Sequence, residues 1–547
     1  MKSASLCWGQ RYMWLRVHQL PPEHQHETHV VLRFRVPDGL TTARCRALLT
    51  HLTRRHEVLR TTYHLGPEPE QRVDPPRALP VIEVSTERDG TATPVDVIDE
   101  LTRRPFDLAG EWPIRACLIT TGGAPKQCVL VLNHLAVDVW TLGEIKRELR
   151  TQSAASAARR QVALAPVRHQ PSDLARHEAS ADAAIVAARA MAHWQEEVAR
   201  LPLDPFAGRR GPAEGPAEGP VARHATLISP ALLAAGQRIA GRHGVWPSLV
   251  HLAAYTAMMA LYTGQESVGF LSFVSNRQTH PYPDVMTCMF SPMLVRVDCS
   301  GDPGFGELLR RVSESFGRAG EHAYVPYDKV VEMVSREGSA RGGEVRLGSE
   351  VNFIKQRTKE YGGRRSAFTW NPEPESWAHC GLDTYLRVDQ WCDAVSLSLH
   401  AMSSVMDAAS VERFLRGLEA LVLAHDDPAA DLRISEAAGQ AAFAPPRPAG
   451  RIRDAAATGE PPSAAVQALA EAVRDAHGLA HIDPSRSYTL AGGRALRIPQ
   501  VLADLGRRGW EGLSLQQLAG PAPLAALAGR LAPRRRTPSS QIPSNSE

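Results

Sequence analysis

The chain contains 547 residues, of which 43% are hydrophobic and 22% are charged, and its formal net charge is +3. This length predicts about three to four domain-sized units, and the composition is typical of a globular chain with large apolar cores. Because the charge is nearly balanced and the basic residues are scattered, we exclude nucleic acid as a predicted partner. The sequence shows neither a signal-peptide pattern nor an apolar run of about 20 residues, so we predict no membrane contact and a cytoplasmic location.

Eight cysteines are spread along the chain without the close pairs that are typical of metal sites. We therefore predict reduced, mostly buried thiols and no metal ion. Three consecutive arginines, 534–536, stand in a terminus rich in proline and serine. Such a composition predicts a disordered, solvated tail over residues 533–547.

Taken in chain order, the first regular pattern is an alternation of apolar and polar residues at 30–36, which predicts a β-strand. Apolar residues at helical spacing then predict a helix within residues 41–53. Two apolar runs, at 114–120 and 127–132, flank a glycine pair. They predict a β-hairpin.

The stretch at 127–140 joins the second of these strands to a candidate functional turn. Its apolar run ends on Asn133 and His134, Asp138 follows, and helical spacing begins at Leu142. A buried strand that ends on a histidine can fix an imidazole at the floor of a cleft, as general-base chemistry requires. The same spacing also fits a core histidine in a turn with a solvent-facing aspartate, because short motifs match by chance.

Beyond this stretch, proline and glycine are dense at 208–220, where Ala-Glu-Gly-Pro occurs twice in succession. This composition predicts an exposed linker over about 203–222. A second linker, rich in proline and alanine, is predicted at 441–462. Patterns in the second half predict several further strands, at 268–274, 289–297, 351–353 and 394–400. They also predict helices at 249–263 and 408–424.

Six segments of the sequence together resemble one known family. Asn-His-Leu-Ala-Val-Asp-Val at 133–139 is similar to the His-His-x-x-x-Asp-Gly motif of the condensation domains of nonribosomal peptide synthetases, which belong to the chloramphenicol-acetyltransferase-like superfamily. Five other segments resemble further motifs of that family in the family's order: 5–15, 55–61, 275–277, 289–292 and 324–327. The resemblance covers residues 1–440.

The resemblance implies an α/β (α+β) fold in which two chloramphenicol-acetyltransferase-like lobes form a V and a small helical bundle follows. It suggests an N-terminal lobe at 1–185 and a C-terminal lobe at 186–440. After the 441–462 linker, residues 463–532 would form the helical domain.

The resemblance also implies roles for individual residues. His134 takes the position of the second histidine, which orients the acceptor amine and accepts or relays its proton. Asn133 replaces the first histidine and Asp138 is expected to support the turn, paired with Arg277. Val139 replaces the motif's glycine, so we expect an altered turn or a narrowed acceptor channel.

Three further residues in matching segments, Gln10, Arg60 and Ser291, are expected to line a channel or to serve as scaffold. The cluster of charged residues around Arg60 reads mainly as scaffold, because its groups can pair locally on a helix end or turn.

A second resemblance lies near the C-terminus, where residues 488–496 look like the peptidyl-carrier motif Leu-Gly-Gly-x-Ser-Leu. Ala495 stands where carriers have the serine that bears phosphopantetheine. Without that oxygen the arm cannot be attached, so we predict a degenerate carrier-like domain. The chain itself is then expected to bind no cofactor, and phosphopantetheine would be presented by partner carrier proteins in trans.

These resemblances leave three interpretations open. The first is a condensation enzyme that transfers a carrier-bound acyl or aminoacyl group to an amine, or to a hydroxyl, forming an amide or an ester. The second is an acyltransferase that uses a soluble alcohol or amine acceptor or an acyl-coenzyme A donor. The third is a non-catalytic recruiting platform. Epimerisation is a further activity of the same family.

Overall fold

The computed structural model describes residues 2–87, 93–211, 221–278, 280–356, 358–373, 375–441, 443–447 and 463–534. The repeated Ala-Glu-Gly-Pro segment, residues 448–462 of the second predicted linker and the tail beyond residue 534 lie outside the described residues.

The first lobe contains a four-stranded sheet in the order β2-β7-β6-β5 and a separate three-stranded sheet in the order β1-β4-β3. Its strands are β1 (Lys2–Ser5), β2 (His29–Arg35), β3 (Thr61–His64), β4 (Glu70–Val73), β5 (Val81–Ser85), β6 (Ile114–Thr121) and β7 (Ala124–Asn133). Its helices are α1 (Trp8–Gln19), α2 (Thr42–Arg55), α3 (Pro94–Arg103), α4 (Val139–Ala157) and α5 (Pro171–Glu178).

The predicted hairpin is confirmed, because β6 and β7 pair antiparallel over most of their length. Gly122 and Gly123 make the turn with φ of 58° and 73°, a conformation that glycine adopts without a steric cost. The central strand β7 is buried at nearly every position from Cys128 to Asn133. His134 therefore directly follows a buried and rigid strand.

The second lobe is built on a seven-stranded sheet in the order β10-β9-β11-β13-β14-β8-β12. Its strands are β8 (Ala222–Ser229), β9 (Ser267–Val274), β10 (Ser291–Asp298), β11 (Ser349–Lys355), β12 (Ala367–Trp370), β13 (Thr384–Gln390) and β14 (Val395–Met402). The helices, which begin with the one that enters this lobe, are α6 (Ala181–Ala199), α7 (Pro230–His243), α8 (Pro247–Thr263), α9 (Phe305–Glu321), α10 (Tyr327–Arg341), α11 (Ala408–Ala424) and α12 (Ile434–Ala441).

The lobe boundary predicted between residues 185 and 186 falls inside α6. An N-cap by Ser180 begins this helix, whose Trp194 and Val198 pack with residues of the second lobe. A continuous helix therefore joins the lobes where a boundary was expected.

Helix α8 is the most apolar helix of the second lobe and is buried on nearly all sides. In the described part of the chain, no single helix is long and apolar enough to cross a membrane. Helices α7 and α8 meet that test only as a pair, and this pair is bent by 102°.

Residues 463–534 form the C-terminal helical domain. Its elements are α13 (Ser463–His477), α14 (Ile498–Arg507), β15 (Trp510–Glu511), α15 (Leu515–Ala519), α16 (Leu524–Ala528) and β16 (Ala532–Pro533). Because Pro533 pairs with Trp510, the ordered domain continues past the predicted start of the tail at residue 533. We call residues 2–447 the two-lobed body.

Candidate active site

His134 lies in a tight turn immediately after β7. The backbone N–H of His134 donates to Thr28 O across 3.2 Å. The side chain of Asn133 is buried and its Oδ1 accepts the N–H of Leu135 at 2.9 Å. Asparagine commonly stabilises turns in this way, so its role here is to shape the turn that presents the imidazole.

The imidazole of His134 is partly buried, and its Nδ1 is enclosed without a hydrogen-bond partner. Its ring lies 5.4 Å from the ring of Phe290, measured between centroids. Burial lowers the pKa of His134 below its ordinary value of 6.5, while backbone groups and the charge of Asp138 act in the opposite direction. Burial therefore favours the neutral imidazole, which is the form a general base needs.

Asp138 is buried at the N-terminus of α4, where it performs two structural tasks. Its Oδ1 caps the helix by accepting the N–H of Thr141 at 2.8 Å. Its Oδ2 accepts from Arg277 Nη2 at 2.8 Å and from the N–H of Met289 at 3.1 Å. The expected pairing of Asp138 with Arg277 is thus present, and the carboxylate faces protein donors on both oxygens.

Arg277 is also buried, and its guanidinium donates hydrogen bonds to several carbonyl oxygens of the loop between β9 and β10. Its Nη1 donates to the carbonyl oxygens of Pro283 and Val285, at 3.0 and 2.8 Å, and its Nη2 donates to Thr287 O at 3.0 Å. The guanidinium carbon lies 4.0 Å from the ring centroid of Trp140. The guanidinium therefore contacts one carboxylate, three carbonyl oxygens and one aromatic face, which together stabilise its buried charge.

Asn276 has a left-handed backbone conformation, with φ of 57°. Its Nδ2 donates to Met289 O and to Ser291 Oγ, both at 2.8 Å. Asparagine tolerates this conformation better than most residues. Ser291 is buried and holds the loop that carries Arg277.

Val139 is the first residue of α4, and its backbone is not left-handed. The valine therefore takes no strained conformation, because position 139 already belongs to the helix. The side chain of Val139 is 68% exposed and lines the cavity that contains His134. The replacement of glycine thus adds bulk to the cavity without straining the backbone.

Gln10 and Arg60 lie among the residues that support the body. The buried Gln10 accepts the N–H of Cys7 at 2.8 Å, and its Nε2 donates to Thr287 Oγ1 at 3.2 Å. Arg60 donates to Asp74 O and lies near Glu57. Neither lines the two cavities described next.

Two large cavities meet near the end of β9. The first, of about 580 Å³, contains His134, Val139 and Phe290. The second, of about 710 Å³, contains Arg277 and Tyr324. Val274 and Ser275 line both cavities, so this strand end stands between them.

Two buried carboxyl groups beside these cavities were not predicted from the sequence. Glu350, on β11, lines the first cavity, and burial raises its pKa while the charge of Arg16 lowers it. Glu178 accepts from the N–H of Trp8 at 2.9 Å and from the hydroxyl of Tyr324, beside the second cavity. Each belongs to a different element, and no local pattern in the sequence marks either residue.

The described residues contain no group of three or more His, Cys, Asp or Glu side chains that could hold a metal ion.

A protein-family model described as "Condensation domain" matches residues 3–430. The chain belongs to the condensation domain family. Among its relatives is the "Probable non-canonical nonribosomal peptide synthetase (NRPS) CymA" of Salinispora arenicola, which is 28% identical over 409 residues. This condensation domain chain aligns over 70% of its own length and 5% of that synthetase. It thus spans a small part of the curated relatives it matches.

Solved structures show the same fold. The X-domain from teicoplanin biosynthesis matches the condensation domain chain with a TM-score of 0.61 at 19% identity, covering 80% of this chain and 97% of the X-domain. The condensation domain for chain release from the enacyloxin polyketide synthase matches with a TM-score of 0.58 at 21% identity, covering 79% and 84%. These matches confirm the predicted mixed α/β fold with chloramphenicol-acetyltransferase-like lobes.

Proposed function

We propose that this chain is a condensation enzyme that transfers an acyl or aminoacyl group from a thioester to an amine or hydroxyl acceptor, with His134 as the catalytic residue. The observation that carries this proposal is the position of His134. A neutral, partly buried imidazole at the end of a rigid strand lines a 580 Å³ cavity, next to a second cavity of 710 Å³. Such a pair of cavities offers separate routes for a donor and an acceptor.

In the proposed reaction, the acceptor nitrogen attacks the thioester carbonyl carbon. A carbon–nitrogen bond forms and the carbon–sulfur bond breaks, so the products are an amide and a free thiol. His134 orients the amine and takes its proton, which then passes to the departing sulfur. We assign Nε2 of His134 to this proton transfer, because Nδ1 is enclosed by the protein.

The second part of the proposal concerns Asp138, Arg277 and Asn133, to which we assign positioning roles. Their hydrogen bonds fix the turn and the loop on either side of His134, and both oxygens of Asp138 accept donors from the protein. The donor group would arrive on the phosphopantetheine arm of a separate carrier protein, as the family relationship suggests.

The proposal is tested by a transfer assay with the purified chain. Acyl-loaded carrier proteins and acyl-N-acetylcysteamine thioesters serve as donors, a panel of amines and alcohols serves as acceptors, and products are identified by mass spectrometry. We expect a condensed product whose rate falls by about 100-fold or more in His134→Ala. The exposed His51→Ala is the matched control and should keep the full rate.

Three results would contradict the proposal. An unchanged rate in a folded His134→Ala variant would remove this residue from the mechanism. A product formed only from acyl-coenzyme A would favour the acyltransferase alternative. Carrier binding without any product across the acceptor panel would instead indicate a recruiting platform.

A further inference from the structure

The C-terminal helical domain packs on the two-lobed body with the face that contains Ala495. This residue is 2% exposed, and the neighbouring Leu496 is 3% exposed. The N–H of Ala495 donates to Glu332 Oε1, on α10, across 3.2 Å. The position at which a carrier would bear its arm is therefore sealed against the body.

An apolar core continues across this interface. Met13, Trp14 and Val17 of α1 belong to the same buried cluster as Leu496 and Leu515 of the C-terminal helical domain. Shared burial of this kind is the main source of stability in lasting interfaces, whereas transient ones are more polar. The domain is thus held in the manner of a permanent part of the fold.

Polar contacts surround this apolar centre. Ser335 Oγ donates to Gly520 O at 3.1 Å, and the hydroxyl oxygens of Ser339 and Ser487 lie 3.4 Å apart. On another side of the interface, the Gln516 side chain donates to His379 O at 2.8 Å. Contacts on several sides fix the orientation of the domain as well as its position.

The buried carboxylate of Glu332 needs hydrogen-bond donors, and the C-terminal helical domain supplies one of them. This carboxylate is paired with Lys329 at 2.9 Å, and its Oε1 accepts the N–H of Ala495. Removal of the domain would leave this oxygen without that donor and would expose the apolar face of α1. Glu68 makes a second link at the edge of the interface, where it pairs with Arg494 and Arg497.

Helix α1 lies between the covered face and the catalytic cavity. Tyr12, Met13 and Arg16 line the cavity that contains His134, while Trp14 and Val17 belong to the cluster shared with the C-terminal helical domain. The domain therefore covers the outside of one wall of the catalytic cavity. A partner carrier that approached over α1 and α10 would collide with it.

We propose that the C-terminal helical domain is a fixed cover over α1 and α10, which closes this face to carrier proteins so that the acceptor reaches His134 as a free small-molecule amine or alcohol. The statement about the acceptor rests on the proposed function, whereas the fixed cover stands on the geometry alone. None of the described residues of this domain lines either cavity, so both cavities stay open to small molecules while the domain occupies α1 and α10.

The fixed cover is tested by cysteine labelling in the full chain. Ala495→Cys places a thiol in the sealed interface, and Leu490→Cys, at an exposed position of the same domain, is the matched control. Maleimide labelling of each site is followed by peptide mass spectrometry. We expect Ala495→Cys to react at least about tenfold more slowly than Leu490→Cys, since it needs local opening. Equal rates would overturn the fixed cover.

The acceptor class is tested by locking the interface. The double variant Ser339→Cys/Ser487→Cys places two thiols where the hydroxyl oxygens lie 3.4 Å apart, and peptide mass spectrometry verifies that a disulfide forms on oxidation. Each single variant is a control for the loss of one hydroxyl. We expect the oxidised double variant to transfer the acyl group to free acceptors at the rate of its reduced form.

The outcomes separate the two proposals. One outcome is that turnover requires a carrier-bound acceptor and stops when the disulfide locks the interface. That result would overturn the proposal that the cover closes this face to carrier proteins. A slowly labelled Ala495→Cys together with no product from any donor and acceptor would leave the cover supported and would overturn the proposed function alone. Rapid labelling of Ala495→Cys together with normal turnover would overturn the fixed cover and leave the proposed function supported.

Discussion

Arg277 Nη2 and Asp138 Oδ2 lie 2.8 Å apart, although 139 positions of sequence separate the two residues. Both side chains are buried, so the loss of one partner leaves the other charge without compensation inside the protein. This relationship gives the first prediction.

Arg277→Ala is expected to lower the free energy of unfolding by about 3–5 kcal/mol, because Asp138 then keeps a buried charge without its cation. Urea unfolding measures this loss. Arg147→Ala, which removes an exposed ion pair with Glu144 on α4, is the matched control and should cost under about 1 kcal/mol. Similar losses of unfolding free energy in both variants would show that the buried ion pair stabilises the fold no more than the exposed one.

The acid side of the pH profile gives the second prediction. Because burial lowers the pKa of His134, the neutral imidazole persists below pH 6.5, and the transfer rate should begin to fall only below that value. The charge of Asp138 raises this pKa, so Asp138→Asn should move the fall to still lower pH. Rates of transfer measured between pH 4.5 and pH 8 test both statements; a fall that begins above pH 6.5 would contradict the first.

Asp138→Asn retains an oxygen for the cap of α4, and its folding is checked by urea unfolding at each pH. A shift of the profile to higher pH in this variant would mean that Asp138 does not act on His134 through its charge.

Val139 gives the third prediction. Since its side chain lines the cavity that contains His134 and its backbone is helical, Val139→Ala should admit acceptors with bulkier groups near the reacting nitrogen. The rate with small acceptors should change little. Product yields over a series of acceptors of increasing size measure the effect. Val139→Gly is the companion variant; an effect confined to it would point to the backbone as the cause.

Glu178 gives the fourth prediction. Burial raises its pKa to about 8, while donors from Tyr324 and Trp8 oppose the shift. Between its ordinary pKa of 4.5 and about pH 8, the folded state holds a proton that the unfolded state has lost. The contribution of Glu178 to stability therefore falls as pH rises through this window, by up to about 1.4 kcal/mol per pH unit.

Urea unfolding at pH 5, 6.5 and 8 tests this sign. Glu178→Gln cannot ionise, so its stability should fall less steeply with pH than that of the unchanged chain. Glu321→Gln, at an exposed glutamate beside the same cavity, should leave the slope as it is. If the free energy of unfolding fell more steeply with pH in Glu178→Gln, the pKa of Glu178 would not be raised in the folded state.

The sequence alone predicted the elements whose patterns are local. The hairpin of β6 and β7, helix α8 and helix α11 follow from apolar periodicity and from glycine at turns and helix ends. The pairing of Asp138 with Arg277 followed only from family resemblance, since spacing cannot show a contact over this distance in sequence. The lobe boundary at residues 185 and 186 also came from the resemblance, and α6 runs through it.

The sealed position of Ala495 was not predictable in the same way. The sequence showed that the attachment oxygen is missing, but the burial of this residue depends on Glu332, which lies 163 positions away. The Glu350 side chain reaches the cavity for a similar reason, because strands brought together by sheet pairing leave no signal in neighbouring residues. Long-range packing decided both features.

The loop between β9 and β10 joins the lobes through a small set of bonds concentrated on Thr287. Its Oγ1 accepts from Gln10, and its carbonyl oxygen accepts from Thr141 Oγ1 at 2.9 Å and from Arg277. Gly9 allows close approach here, because a Cβ on it would lie 2.3 Å from Cys288 O. These bonds tie α1 and α4 of the first lobe to a loop of the second lobe, so the cleft between the lobes cannot widen at this point unless the bonds break.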